Sequence, residues 1–309
     1  MRRKLGFSKL AVFLYIVSTP FVLANDQNNS IREISNGVYS FTLGEGNHSM
    51  FVIGEGSVAV FETFNSVHSQ KMLEAIRHLT NKPIKYAFIS HNHWDHASGG
   101  TVFSNAGAQT VMHERAAGWL DANPGRDTVM PDITWAGDRK DFDMGDFTVT
   151  MNYLGLNHGM GLTIFTIPER RAAYIADLVT PNRVMFSVVP DFNIGEWERS
   201  LGEILEMDFE VAVCSHNELP MKEVMNGCTR THVTEERQFI RDLRNAILAE
   251  FEKGTNFMQI PKAVRLPQYS NWIGYEEWLE MNTLRLMTDL FMGPFPWVPN
   301  AQDPLLHEE

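Results

Sequence analysis

The chain has 309 residues, 44% hydrophobic and 21% charged, which allows a sizeable core in one or two domains and excludes long disorder, collagen and a multi-span membrane protein. Acidic residues outnumber basic ones 38 to 26, a formal charge of −12. With no Lys/Arg cluster to offset that charge, a phosphate backbone would be repelled, and no nucleic-acid partner is expected. Two cysteines, Cys214 and Cys228, can form one bridge at most, and neither a disulfide framework nor a four-sulfur zinc site.

The first residues read as a targeting signal. Arg2, Arg3, Lys4 and Lys9 stand without an acid before a mostly apolar run at 10–23, which closes on Val22-Leu23-Ala24, the small-residue end of a secretory signal cut after Ala24. That run is shorter than the ~20 residues that span a bilayer, so a membrane anchor is the weaker reading and no stable insertion is expected after cleavage. The expected compartment is the periplasm or the outside, where a Cys214–Cys228 bridge could form.

Strand-like stretches follow at 38–42, 50–53 and 57–61, separated by Gly44, Gly46, Gly54 and Gly56. Met72, Leu73, Ile76 and Leu79 fall on one helical face, and Tyr86-Ala87-Phe88-Ile89 reads as a buried strand. A second half repeats the pattern, with strands at 147–153, 162–167 and 172–175, a helix at 196–207 and a strand at 209–214. Two β-rich halves with helices outside predict an α/β fold, a four-layer αββα sandwich. Beyond Pro220 the character turns helical. Phe239, Ile240, Leu243, Ile247, Leu248 and Phe251 make one stripe stopped by Gly254, and a last helix is predicted over 275–292. The expected organisation is a signal at 1–24, the sandwich at 25–225, and a helical extension at 226–309 packed on it, with Phe295-Pro296-Trp297 as an irregular tail.

Directly after the buried strand stands His91-Asn92-His93-Trp94-Asp95-His96, three imidazoles and a carboxylate within six residues. In an extended segment, positions i and i+2 project to the same side, so His91 and His93 can grip one metal. Asp95 and His96 lie where the chain turns toward a helix beginning near Ser98 and can face a second, and Gly99-Gly100 lets the backbone pack closely. A purely structural zinc site would be expected to use Cys, and none is near. Further candidates lie at strand ends: His158 in Asn157-His158-Gly159, Asp177 after Ala173-Tyr174-Ile175-Ala176, and His216 after Cys214-Ser215.

In this ordered set the chain resembles the metallo-β-lactamase superfamily from about Gly37 to Leu219. The resemblance implies that His91, His93 and His158 hold a first zinc and Asp95, His96 and His216 a second, with Asp177 bridging. This is the ligand set of glyoxalase-II and lactonase-like branches. Two zinc ions per chain are expected, with iron or manganese as alternatives. Four departures are visible: Asn157 where the family has Gly, Gly159-Met160-Gly161 in place of the common small hydroxyl residue, Ser-His-Asn-Glu around His216, and Glu62 in the place of a customary Asp. The stretch Gly274-Tyr275-Glu276-Glu277-Trp278-Leu279 also resembles secreted metallohydrolases encoded with sulfur-oxidation or quinoprotein-relay systems.

The implied chemistry is hydrolysis, with a metal-bridging hydroxide attacking an acyl carbonyl and Asp95 orienting it and moving its proton. The expected partner is a small-molecule acyl substrate: a lactone, β-lactam, ester or thioester. Two other classes compete on the same fold. One is a one-iron persulfide dioxygenase, which needs only the first set of ligands; the other is a non-catalytic metal-binding protein. Residues 123–135, with Arg126, Met130 and Trp135, are read as a loop that could overhang the site. His48, His68, His78, His232 and His307 are read as surface or loop residues.

Overall fold

The computed structural model describes residues 22–24, 29–44, 46–218 and 227–293. Among these, one sheet has the order β1 (Val22–Ala24), β2 (Asn29–Ser35), β3 (Val38–Leu43), β4 (Gly46–Ile53), β5 (Val58–Phe61), β6 (Ile84–Phe88), β7 (Gln109–His113) and β8 (Ile133–Trp135). The second runs β13 (Val211–Cys214), β12 (Ala172–Ala176), β11 (Thr163–Ile167), β10 (Thr148–Tyr153) and β9 (Arg139–Asp143). A two-residue strand, β14 (His216–Asn217), crosses from the second sheet to pair antiparallel with the start of β4, setting His216 opposite Asn47. The four-layer αββα architecture expected from the sequence is what forms.

Alternation along the strands builds the layers. Met50, Val52, Ala59 and Phe61 face the second sheet, where Phe61 stacks on Phe88 and meets Phe165 with ring centroids 5.2 and 5.3 Å apart. Their neighbours Phe51, Val58 and Val60 point the other way, against Met72 and Ile76 of helix α1 (Ser66–Leu79) and Phe103 of α3 (Gly100–Asn105). α1 starts where Asn65 caps the amides of Val67 and His68. Between α1 and α3 lies the single turn α2 (Trp94–Ala97), and α4 (Glu114–Ala122) follows β7.

On the opposite face α5 (Ile194–Glu206) buries Ile194, Trp197, Leu201 and Ile204, spaced three and four apart. The long α6 (Arg230–Glu252) packs on α5, with Arg241 and Arg244 gripping Glu198. A short α7 (Ile260–Ala263) leads to α8 (Tyr275–Met292), which buries Leu279, Leu286 and Met287. No helix among the described residues is long and apolar enough to cross a membrane.

Several expectations change. Residues 1–21 of the expected signal lie outside the described residues, while Val22–Ala24 pairs with β2. His307 and the Phe295-Pro296-Trp297 tail also lie outside. His48 and His68, read as surface or loop histidines, are buried at 3% and 2% exposure. The His48 Nε2–H donates to the Asn217 carbonyl at 3.1 Å, and His68 Nε2 lies 2.8 Å from Ser49 Oγ. Burial depresses their pKa values to about 4 and about 3, so both serve as neutral packing rings. The segment 123–135 does not overhang the site. None of its residues lines the cavity, and its Asp127 accepts from the Ser66 amide and hydroxyl and, through its carbonyl, from Gly99, bracing the start of α1 and the turn after α2. Cys214 and Cys228 are bonded, tying the end of β13 to the approach of α6.

Candidate metal centre

Strand β6 ends at Phe88, the chain bends at His91 and Asn92, and His93, extended with a φ of −60° and ψ of 138°, precedes α2. His91 and His93 project together, while α2 turns Asp95 and His96 toward β14. Gly99 makes the return possible: its φ is +79°, and a Cβ there would stand 2.3 Å from the Asn65 carbonyl carbon. Asp177 follows a bulge in the β12–β13 pairing, where Ala176 has φ +54°. Glu62 and Phe64, just after β5, also hold positive φ, a local cost of the kind that collects at functional sites.

The seven candidates converge. His158 Nε2 lies 3.2 Å from His91 Nε2 and 3.2 Å from His93 Nδ1. Asp177 Oδ2 lies 3.8 Å from His91 Nε2, 3.4 Å from His158 Nε2, 3.1 Å from His96 Nε2 and 3.5 Å from His216 Nε2. His96 and His216 face each other through Nε2 at 3.2 Å, and Asp95 Oδ2 stands 3.5 and 3.6 Å from them. Two donor groups result, His91/His93/His158/Asp177 and Asp95/His96/His216, with the Asp177 oxygen between them. Asp95 is the open member, its side chain 64% exposed; Asp177 is buried.

Four of the five rings have their outward-facing nitrogens held by partners, while the buried His158 Nδ1 has no hydrogen-bond partner. His91 Nδ1–H donates to Ser90 Oγ at 2.7 Å, and Ser90 donates in turn to Glu62. Glu62 also accepts from His96 Nδ1 at 3.1 Å, Asp191 accepts from His93 Nε2 at 2.6 Å, and Asn47 Oδ1 accepts from His216 Nδ1 at 3.1 Å. Four inward lone pairs therefore meet two carboxylates in a largely buried space, which favours a cation there. The spacing fits as well, since tetrahedral ligands at 2.0–2.1 Å from a zinc ion stand about 3.3 Å apart. Glu62 groups with His91 and His96, yet it touches the Nδ1 side of His96, away from the convergence point. It orients ligands instead, so the longer acid in the family's Asp position reaches His96 directly and His91 through Ser90.

Electrostatics agree. Burial and the neighbouring His96, His93 and His158 rings hold His91 well below its usual pKa. For His96 burial acts downward, but Asp177, Asp95 and Glu62 outweigh it and hold the ring well above the usual value. Burial would raise Asp177, but His96 and His216 hold it well below the carboxylate range. The site is built to retain positive charge.

Asp191, Ser90 and Asn47 had no signal in sequence reasoning. Asn157 turns its amide away from the centre to Ser200 Oγ at 2.8 Å, so its bulk falls against α5 rather than on the ligands. Gly159 at φ +55° lies where a Cβ would meet Asn92 Oδ1 at 2.7 Å, which explains a glycine directly after His158. Above the donors opens a cavity of about 810 Å3, lined by His93, Asp95, His158, Asp177 and His216 on its floor and by the loop at 185–192 on one wall.

The profile of the metallo-beta-lactamase superfamily matches residues 43–216, more than half of the chain. No curated protein matches. Among solved structures, a metallo-beta-lactamase from Pontibacter korlensis is 16% identical with a TM-score of 0.54, covering 72% of this chain and 99% of its own. VMB-1 is 16% identical with a TM-score of 0.58, covering 70% and 98%. The stereoselective inverting sec-alkylsulfatase Pisa1 from Pseudomonas sp. is 14% identical with a TM-score of 0.64 and covers 85% of this chain, which spans 50% of the sulfatase. At these identities the likeness is one of fold.

Proposed function

Because the chain belongs to the metallo-beta-lactamase superfamily, we propose that it is an exported, binuclear zinc-dependent hydrolase that opens an acyl carbonyl in a small molecule: a lactone, β-lactam, ester or thioester. The observation that carries this is the pair of donor groups meeting at one Asp177 oxygen. In this reading His91, His93 and His158 hold the first ion, Asp95, His96 and His216 the second, and Asp177 touches both. Residues 25–225 form the catalytic unit and 226–309 an extension packed on it. Bound there, zinc would supply Lewis acidity and lower the pKa of water toward ~7.

The chain's own groups do the rest. Glu62, Ser90, Asp191 and Asn47 hold four imidazoles in one tautomer each, so no ring must rotate during turnover. In this reading Asp95 accepts a proton and passes it to the leaving atom, a role supported by its exposure at the cavity floor. A second reading, hydrolysis of an alkyl sulfate ester, is favoured by the apolar lining of the cavity.

Elemental analysis of the purified protein, beside a panel of a chromogenic β-lactam, a lactone, a thioester, an ester and an alkyl sulfate, tests the reading. Two zinc ions per chain with a cleaved acyl substrate support it, as does an Asp95→Asn variant that keeps metal but loses about 100-fold or more in rate. One iron ion without hydrolysis would favour the dioxygenase class instead; tight metal without any turnover would favour a non-catalytic role.

A further inference from the structure

The cavity wall formed by the loop between Asp177 and α5 presents Met185, Phe186, Val188, Val189 and Phe192. Phe186 is 59% and Val188 43% exposed, although both flank a metal-donor cluster. Large apolar side chains left in water beside a reactive centre mark a surface awaiting an apolar group.

The loop is held by α8. Asn282, fully buried, donates from Nδ2 to the carbonyls of Met185 and Ser187, both at 2.8 Å. Arg285 donates from Nε to the Val189 carbonyl at 3.2 Å and from its other end to Phe192. Ser187 and Val189 sit at φ +53° and +35°, conformations that a loop of non-glycine residues keeps only when anchored. At the same end Trp278 meets Phe186 edge to face, with ring centroids 4.9 Å apart.

Among the described residues, the charged side chains of this wall are paired with each other or with the donor groups. The Arg183 guanidinium pairs with Glu218 at 2.6 Å and lies over the Phe186 and Trp278 rings, and Asp191 is engaged with His93. Asp95 and Asp177 on the floor belong to the donor groups. Among the described residues no exposed cation lines this wall, so it offers the remote part of a substrate apolar contact rather than an ion pair.

We propose that this wall seats a neutral, apolar acyl or alkyl substituent of the substrate, and that α8 sets the chain-length preference by clamping the loop through Asn282 and Arg285. The proposal rests on the hydrolase reading for its kinetic arm only. The test uses the metal-loaded full chain in two arms: kcat/KM for 4-nitrophenyl esters from acetate to decanoate, and affinity for the neutral fluorophore N-phenyl-1-naphthylamine. Expected are a rise of at least tenfold in kcat/KM from the two-carbon to the eight-carbon ester and loss of that gain when the eight-carbon chain ends in a carboxylate. Phe186→Asp should cut the long-to-short ratio and weaken fluorophore binding, each at least tenfold. Asn282→Ala should flatten the same ratio without changing a cavity side chain; if it does not fold, Phe186→Asp and Val188→Asp, at exposed positions, carry the test. A kcat/KM that stays flat with chain length, or a Phe186→Asp variant with unchanged ratio and fluorophore affinity, overturns the proposal. If no ester is turned over, an ester is not the substrate class, while fluorophore binding and its loss in Phe186→Asp still decide whether the wall is an apolar site.

Discussion

Glu236 on α6 is 1% exposed, and its carboxyl has only the Thr180 amide and hydroxyl near Oε2, each at 3.4 Å, while Oε1 has no hydrogen-bond partner. Burial pushes its pKa up from 4.5 to about 8, against the smaller opposing effects of Thr180 and Arg183. Lifting an acid that far corresponds to about 5 kcal/mol between its protonation states. Below pH 4.5 the folded and unfolded chains both hold the proton, and this group gives stability no pH dependence. Between 4.5 and 8 the unfolded chain releases the proton while the fold retains it, so stability falls as pH rises; above 8 both are ionised and the loss is complete. Glu236→Gln cannot ionise and escapes that slope. Relative to wild type, the variant should therefore gain stability with pH, by about 3 kcal/mol at pH 7 and about 5 kcal/mol at pH 8.5. Urea unfolding of both proteins at pH 5, 7 and 8.5, with equal metal content, measures the difference. A gap that stays constant across that range would refute the assignment of a protonated, buried Glu236.

Three further outcomes are expected. Replacing Cys214 and Cys228 by Ala, or unfolding under reductant, should cost about 3 kcal/mol, the chain entropy released by opening a loop with a sequence separation of 14 residues; equal urea midpoints with and without reductant would contradict it. Asp191→Ala removes the acceptor that fixes the His93 ring and should weaken metal binding by about 10–100-fold in a chelator competition titration, with the fold intact by circular dichroism. Gly99→Ala should destabilise the chain by at least about 1 kcal/mol, since it combines positive φ with a collision against the Asn65 backbone; an unchanged melting temperature would show that this turn can shift.

What the sequence determined is what local spacing encodes. Short apolar runs, bounded by glycine turns in the first sheet, marked the strands around Phe51, Phe61 and Phe165, and the helical stretch from Tyr275 to Met292 was legible over its full length. The i, i+2 pair His91 and His93 was legible from its spacing, although the backbone bends at His91 and Asn92 and the rings meet through His91 Nε2 and His93 Nδ1. The remaining candidates were legible as residue types at strand ends, without their mutual distances.

Tertiary structure decided the rest, because periodicity says which face of an element is apolar and not which element it will meet. Asp191 reaches His93 across 98 residues and Asn47 reaches His216 across 169. No local pattern announces such a partner, since any polar side chain in a loop could have been the one brought near. His48 and His68 are individually polar and read as surface residues, yet the sheet and α1 close over them and leave one hydrogen-bond acceptor beside each. The stretch at 123–135 looked like an overhanging loop, but its Asp127 accepts from the amides of Ser66 and Gly99, and none of its residues lines the cavity. The cavity wall was left to residues 185–192 and to a helix about a hundred positions further along the chain, whose Asn282 and Arg285 satisfy carbonyls that the loop could not satisfy itself.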